Sequence, residues 1–175
     1  ANRAMMVPTM LTELLNHPDF HRYDLSSLKV ITYGAAAMPE STILKALEEF
    51  PNTTFINAFG QTESGSTIAM HVFNSNILNS PEGRARLKSI GKPLPDLEVR
   101  IVDELGKDVS TGQIGEIVVR GKRIMTGYWG KEEATASAIK GGWLYTGDLG
   151  RMDKGGYIYL EGRAKDFFKR GGEMV

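Results

Sequence analysis

Apolar residues early in the chain recur at helical spacing or gather in short buried runs, whereas those in the later part alternate. Residues 5–15 place Met6, Met10, Leu11, Leu14 and Leu15 on one helical stripe, with Pro8 suited to a first turn. His17-Pro18-Asp19 ends that helix. Residues 28–32 then read as a short buried strand, and residues 34–37 as a loop of small side chains. Pro39 opens a second helix, with Ile43, Leu44, Leu47 and Phe50 on one face and Glu40, Lys45, Glu48 and Glu49 on the other. Residues 54–57 form the next strand, so a strand–helix–strand unit brings two candidate ligand loops to one sheet edge.

From 64 to 87 the period is lost, and Gly65, Ser66, Asn74, Ser75, Asn76, Asn79 and Ser80 predict an exposed connection with a short helix over 82–87. Gly91-Lys92-Pro93-Leu94-Pro95 marks a boundary. Beyond it Leu97, Val99 and Ile101 alternate with Glu98, Arg100 and Val102, and residues 103–107 turn the chain. Further strands are expected at Ile114 with Ile117-Val118-Val119, at 143–145 and at 157–160, the last entered through an Asp-Lys-Gly-Gly turn. One helix interrupts at 131–139. The predicted fold class is therefore α/β. A layered sheet-and-helix subdomain (1–90) is followed by a small, mostly antiparallel β subdomain (91–164), expected as a distorted barrel.

Composition narrows the function classes. Lys plus Arg and Asp plus Glu both number 21 in 175 residues, so nothing favours nucleic acid or an anionic membrane surface. Apolar runs are too short to span a bilayer, and no signal peptide opens the chain. The absence of cysteine removes disulfides, thiolate nucleophiles and Cys-based zinc sites, which makes a cytoplasmic protein the simplest expectation. His17 and His21 lie four apart, but Pro18 interrupts the helix between them and no third ligand joins, so they read as surface histidines. His71 receives no role. Both ends read as cuts through something longer.

The chemistry concentrates in Asn57-Ala58-Phe59-Gly60-Gln61-Thr62-Glu63, expected where a buried strand gives way to a loop. Phe59 offers a flat face to a base and Gly60 a close backbone approach. Thr62 offers a hydroxyl to a phosphate and Glu63 a hard oxygen to Mg²⁺. Alone, this would be an ordinary strand-to-loop turn with a surface Glu. It is accompanied in order by Gly115-Glu116-Ile117-Val118-Val119-Arg120-Gly121, Tyr145-Thr146-Gly147-Asp148 and Gly162-Arg163-Ala164-Lys165-Asp166, and preceded by Tyr33-Gly34-Ala35-Ala36-Ala37-Met38.

This ordered set resembles the adenylate-forming superfamily: acyl-CoA synthetases, adenylation domains of nonribosomal peptide synthetases and firefly-type luciferases. The resemblance covers essentially the whole chain and is most like an acyl-CoA synthetase. It implies a segment covering the middle and end of the large N-terminal domain, with residues 165–175 as hinge and start of a C-terminal domain. It also implies ATP, Mg²⁺ and CoA as reactants and a small carboxylate as substrate. Nucleotide contacts would come from Gly34, Ala35, Ala36, Asn57, Ala58, Phe59, Gly60, Thr62, Asp148 and Arg163. Within that set Asn57 would meet the adenine amino group, Phe59 (Tyr in many members) would stack on the ring, and Asp148 and Arg163 would grip the ribose. Thr62 and Glu63 would be catalytic, Glu63 as the Mg²⁺ ligand. Tyr33, Ala35, Gly60, Gly65 and Ser66 would border the acyl pocket, and Lys165 would be the hinge.

Other readings stand beside each role. Ala35 to Ala37 suit plain helix-on-sheet packing, Asp148 a turn bonding its own backbone, and Arg163 a surface ion pair with Asp166 or Glu161. Glu116 and Arg120 read as framework. The superfamily's phosphate loop and its C-terminal lysine have no counterpart here, so this stretch alone is expected to be inactive. Alternatives are an adenylation domain or carrier-protein ligase of the same superfamily, and a non-catalytic nucleotide-binding remnant.

Overall fold

The computed structural model describes residues 1–164, 169–170 and 173–174. Lys165, and with it the expected hinge, lies outside the described residues. The chain divides into two compact units, Ala1–Phe59 with Met70–Gly91, and Gly60–Ala69 with Lys92–Val175.

The first unit is built on a parallel ladder. β1 (Arg3–Met6) is followed by α1 (Pro8–Asn16). The stretch expected as one helix from residue 5 thus begins as a strand. Pro8 is the reason: the residue before a proline is pushed out of the helical region, and Val7 sits extended at φ −84°, ψ 157°. β2 (Val30–Gly34), α2 (Glu40–Glu49) and β3 (Thr54–Gln61) complete the expected strand–helix–strand unit, with β1 and β3 both pairing in parallel to β2. Lys45 on α2 donates through Nζ to the carbonyl of Leu15, at 2.7 Å, and so closes the C-terminal end of α1. Leu11, Ile31, Tyr33, Leu47 and Phe55 form the centre of the apolar core.

β4 (Ser66–Phe73) stands where an exposed connection was expected; its later half belongs to this unit, and α3 (Pro81–Arg86) follows. Polar residues surround β4 in sequence, but Ile68, Ala69, His71 and Phe73 are all buried. His71 packs on Phe73 with ring centroids 4.8 Å apart, and its Nδ1 lies 3.3 Å from the Ser89 hydroxyl. Burial pushes the imidazole down to about 4; the Ser89 hydrogen bond opposes this and the charge of Arg86 adds to it. An unfolded histidine takes up its proton near 6.5, so folding is progressively disfavoured as pH falls from there to about 4. His71→Gln should flatten that part of the pH–stability profile, by up to about 3 kcal/mol at pH 4. Urea midpoints of both proteins across pH 4–7 check this; parallel profiles would refute it.

The second unit begins with the end of β3 and the start of β4, then continues through β5 (Lys92–Pro93), β6 (Leu97–Val102), β7 (Gly115–Gly121), α4 (Glu132–Ala138), β8 (Ile139–Lys140), β9 (Trp143–Met152) and β10 (Ile158–Arg163). Its sheet runs β10-β9-β7-β6, antiparallel throughout, with β8 on β9. The expected antiparallel meander is present, but the ladder is open among the described residues and no barrel closes. Four long strands are too few to curl through a full turn at ordinary strand tilt. Asp103 and Asp153 make the expected turns, each carboxylate accepting two backbone N–H groups further along. Two guanidinium groups stack on the Trp143 ring, Arg100 at 4.9 Å and Arg120 at 4.5 Å, and Arg120 also forks onto Glu98. Among the described residues no helix is long and apolar enough to cross a membrane.

Candidate active site

In the first unit the candidate residues sit at the C-terminal ends of β2 and β3. Gly34 lies in register with Ala58, and Tyr33 with Asn57. A Cβ on Gly34 would fall onto the Ala58 carbonyl oxygen, so strand pairing itself requires glycine there. Ala35 follows at φ 68°, a left-handed conformation that costs an alanine energy. Ala35, Ala36 and Ala37 are exposed, so helix-on-sheet packing does not explain their small size. Asn57 donates through Nδ2 to the Ser89 carbonyl at 3.3 Å, which orients its amide, and Phe59 is half-buried. Tyr33, expected at the acyl pocket, is 1% exposed and belongs to the core, edge-on to Phe73.

In the second unit β3 continues to Gln61, further than expected. Thr62–Ser64 is a single 3₁₀ turn. Ser64, fully buried, ties this turn: its Oγ accepts from the Gln61 N–H at 3.2 Å and donates to the Gln61 carbonyl at 2.8 Å. Gly60 has no room for a Cβ against the Ser66 carbonyl, a structural demand independent of any ligand. Gly65 ends the turn at φ 66°, and a Cβ there would press 2.6 Å from the Arg123 carbonyl oxygen. Ser66 follows at φ 126°. Thr62 is exposed and Glu63 half-buried.

The segment after β7 clasps this turn. Arg123 donates to the Ser64 carbonyl at 2.9 Å and to the Thr67 carbonyl, while its Nε pairs with Asp96 at 2.7 Å. Met125 N–H donates to the Glu63 carbonyl at 2.9 Å, and the Tyr128 hydroxyl donates to Glu63 Oε1 at 2.8 Å. That hydrogen bond pushes the Tyr128 phenol above its ordinary value. The sequence reading singled out neither Arg123 nor Tyr128. Tyr128 stands beside Trp129 in the Gly127–Gly130 stretch, and nothing in the local sequence separates the two aromatics.

Tyr145-Thr146-Gly147-Asp148 lies within β9, not at its end. Thr146, Gly147 and Asp148 stand opposite Ile117 alone, because pairing runs from Val118↔Tyr145 directly to Glu116↔Leu149. The bulge is held from inside. Thr146 Oγ1 donates to the Ile117 carbonyl at 2.7 Å and accepts from the Asp148 N–H at 3.1 Å. The Glu116 carboxylate accepts from the Gly147 N–H at 3.0 Å, and Gly147 takes φ 74°. A second bulge, at Glu161 in β10, sets Arg163 in register with Asp148. Arg163 Nε donates to Asp148 Oδ1 at 3.1 Å, while Glu161 pairs with Arg151 at 2.8 Å. Asp148 is 8% exposed. Burial pushes its carboxyl above the usual carboxylate range, and Arg163 pulls it back only in part.

Within this unit Glu63, Tyr128, Lys131, Lys140, Gly147 and Arg163 line one cleft of about 610 Å³. Three cations (Lys131, Lys140 and Arg163) face two carboxylates, and one of these, Glu116, is already engaged by a backbone N–H. The excess of positive charge suits an anionic ligand. Among the described residues no cluster of three or more His, Cys, Asp or Glu side chains could cage a metal.

Residues 2–129 match the family described as AMP-binding enzyme. Over 171 residues the chain is 39% identical to the medium/long-chain-fatty-acid–CoA ligase of Mycobacterium tuberculosis, covering 98% of this chain and 29% of that protein. It is 36% identical to the long-chain-fatty-acid–CoA ligase of Bacillus subtilis, covering 96% and 30%. Among solved structures it resembles the amide bond synthetase of Marinactinospora thermotolerans at a TM-score of 0.88 and 34% identity, covering 100% of this chain and 34% of that one. It also resembles the o-succinylbenzoate CoA synthetase of Bacillus subtilis bound to its acyl-adenylate intermediate, at a TM-score of 0.83 and 28% identity, covering 100% and 34%. The chain thus spans about a third of the length of these relatives. It belongs to the family of AMP-binding enzymes.

Proposed function

We propose that the chain is the central segment of an AMP-forming acid–thiol ligase. Carboxylate and ATP give acyl-AMP and pyrophosphate; acyl-AMP and CoA then give the acyl thioester and AMP. The observation that carries this reading is the cleft of the second unit, where Glu63 and Arg163, the partner of Asp148, line one space. Asp148, an acceptor-only carboxylate with little water around it, takes the ribose hydroxyls, and Arg163 holds it in place. Thr62 meets the α-phosphate. In the first unit Asn57 reads the adenine amino group, Phe59 stacks on the ring, and Gly34, Ala35, Ala36 and Ala58 lie alongside. Ala35 in the first unit, and Gly60, Gly65 and Ser66 in the second, are the residues assigned to the acyl group. Residues 1–90 and 91–164 serve as subdomains and Lys165 as hinge of an enzyme acting in the cytoplasm.

A lone carboxylate beside a hydroxyl suits Mg²⁺, which keeps most of its waters and takes its other ligands from the substrate's phosphates. Glu63 would hold it, with Thr62 adjacent. When bound it would neutralise phosphate charge during the displacement. The protein's own residues position the reacting groups and supply charge to them, the main levers available in phosphoryl chemistry.

ATP–pyrophosphate exchange by the intact protein over a panel of fatty and aromatic acids tests this. Exchange that depends on one class of acid is the expected result; ATP binding without exchange for any acid would overturn the reading. The likeness to an amide bond synthetase favours a second reading, in which the same adenylate is captured by an amine. Capture by a carrier-protein thiol is a third. Product analysis with CoA, an amine panel and a phosphopantetheinylated carrier separates the three.

A further inference from the structure

We propose that Tyr128 is the positioning residue of Glu63, its phenol hydroxyl setting the orientation of the carboxylate that faces the cleft. This rests on the reading of Glu63 as the magnesium ligand. The geometry is specific. One segment, residues 123–128, reaches across the sequence to make the bonds to Glu63 Oε1 and to the carbonyls of Glu63, Ser64 and Thr67. Three of those bonds fix the backbone of the turn. Only the bond from Tyr128 acts on the side chain that does the chemistry.

Tyr128 is itself held. Its N–H donates to Thr135 Oγ1 at 2.9 Å, that hydroxyl donates to the Lys131 carbonyl at 2.9 Å, and the Lys131 N–H returns to the Tyr128 carbonyl at 3.1 Å. Gly127 adds a close approach, since a Cβ there would lie 2.7 Å from the Thr135 methyl. The N-terminal end of α4 thus sets the phenol, and the phenol sets the carboxylate.

The choice of a phenol is chemically informative. A half-buried carboxylate with free torsions samples several orientations, and a divalent ion selects only some of them. A donor on one oxygen narrows the set before the ion arrives, so less ordering is needed on binding. Lysine or arginine in that place would also orient the carboxylate, but its positive charge would repel the cation. A neutral hydroxyl orients without cancelling the charge.

The test uses the intact enzyme with ATP as probe, titrated calorimetrically in EDTA and in MgCl₂. It compares wild type, Tyr128→Phe, Glu63→Gln and the double variant. Magnesium should tighten ATP binding in the wild type, and Glu63→Gln should erase most of that gain. Tyr128→Phe should reduce the gain about tenfold, the usual effect of losing a partner behind a metal ligand, with magnesium-free affinity unchanged. The double variant should be no worse than Glu63→Gln. In exchange assays Tyr128→Phe should lower kcat and leave the carboxylate KM unaltered. Thr135→Val, which removes the hydroxyl holding Tyr128, should act in the same direction and carries the test if Tyr128→Phe does not fold. A full magnesium gain in Tyr128→Phe, or an equal loss of magnesium-free affinity, would overturn the positioning role while leaving Glu63 in place. A full gain in Glu63→Gln would remove the assignment of Glu63 itself, and the proposal with it.

Discussion

Asp148→Ala in the intact enzyme is expected to weaken ATP binding by about 1.5–3 kcal/mol, roughly one to two orders of magnitude, the range for a hydrogen bond to a charged group. The carboxylate is nearly water-free, its backbone is locked by the Thr146 hydroxyl, and Arg163 engages one of its oxygens. It therefore meets a ligand hydroxyl without reorganising. The variant should also lose discrimination between ATP and 2′-deoxy-ATP, which a general loss of fold would not produce. Stability should move the other way. Burial raises the folded carboxyl above its unfolded value, so at neutral pH the ionised group opposes folding; this component favours folding only at pH below that raised value and is lost as pH climbs through it. Arg163 is two-thirds exposed and regains water when its partner is removed, so little stability is forfeited there. A thermal midpoint held or raised, with ATP affinity down, is the expected pair of results. Unchanged ATP affinity would sink the ribose assignment.

Phe55→Ala should cost about 3–5 kcal/mol of folding free energy. The ring is fully buried, stacked on Phe73 at 5.9 Å with only 17° between the planes, and it sits on β3, in register with Ile31 of the parallel ladder. Ile31 and Tyr33 on β2 and Leu47 on α2 belong to the same core, are anchored in regular elements and cannot all move in to fill the space. Phe55→Leu should cost less than half as much, because most of the volume is kept. Urea denaturation followed by circular dichroism reads both. A loss under about 1 kcal/mol for the alanine variant would mean that the core collapses freely, contrary to its packing density. Asn57 to Phe59 follow on the same strand, so ATP affinity should fall together with stability in this variant, unlike Asp148→Ala.

The strand–helix–strand unit and the alternating strands were legible because each is written in local periodicity. β1 was not: four residues ahead of a proline carry too little pattern to separate from the helix that follows. β4 was hidden because its polar members, His71 above all, are buried by pairing and packing that only the fold supplies. Among the candidate residues, each motif was visible but its partners were not. Nothing near Glu63 announces that Tyr128, 65 positions away, bonds its carboxylate, or that Asp148 and Arg163 meet. Glycines were half-read. At Gly34 and Gly60 the neighbouring backbone already forbids a side chain, whatever ligand passes by.

The bulge at Thr146-Gly147-Asp148 bears on transplantation. Copying those letters into the middle of a regular hairpin would give ordinary strand residues, with Asp148 facing whichever side the pleat dictated. The graft would need a host strand offering one carbonyl opposite three residues, as Ile117 does, and a carboxylate to catch the Gly147 N–H, as Glu116 does. It would need a compensating extra residue on the far strand, as at Glu161, to bring an arginine level with the aspartate. The portable unit is three strands wide: the Thr146 hydroxyl ties the bulge, but offsets in the two flanking ladders set where Asp148 stands.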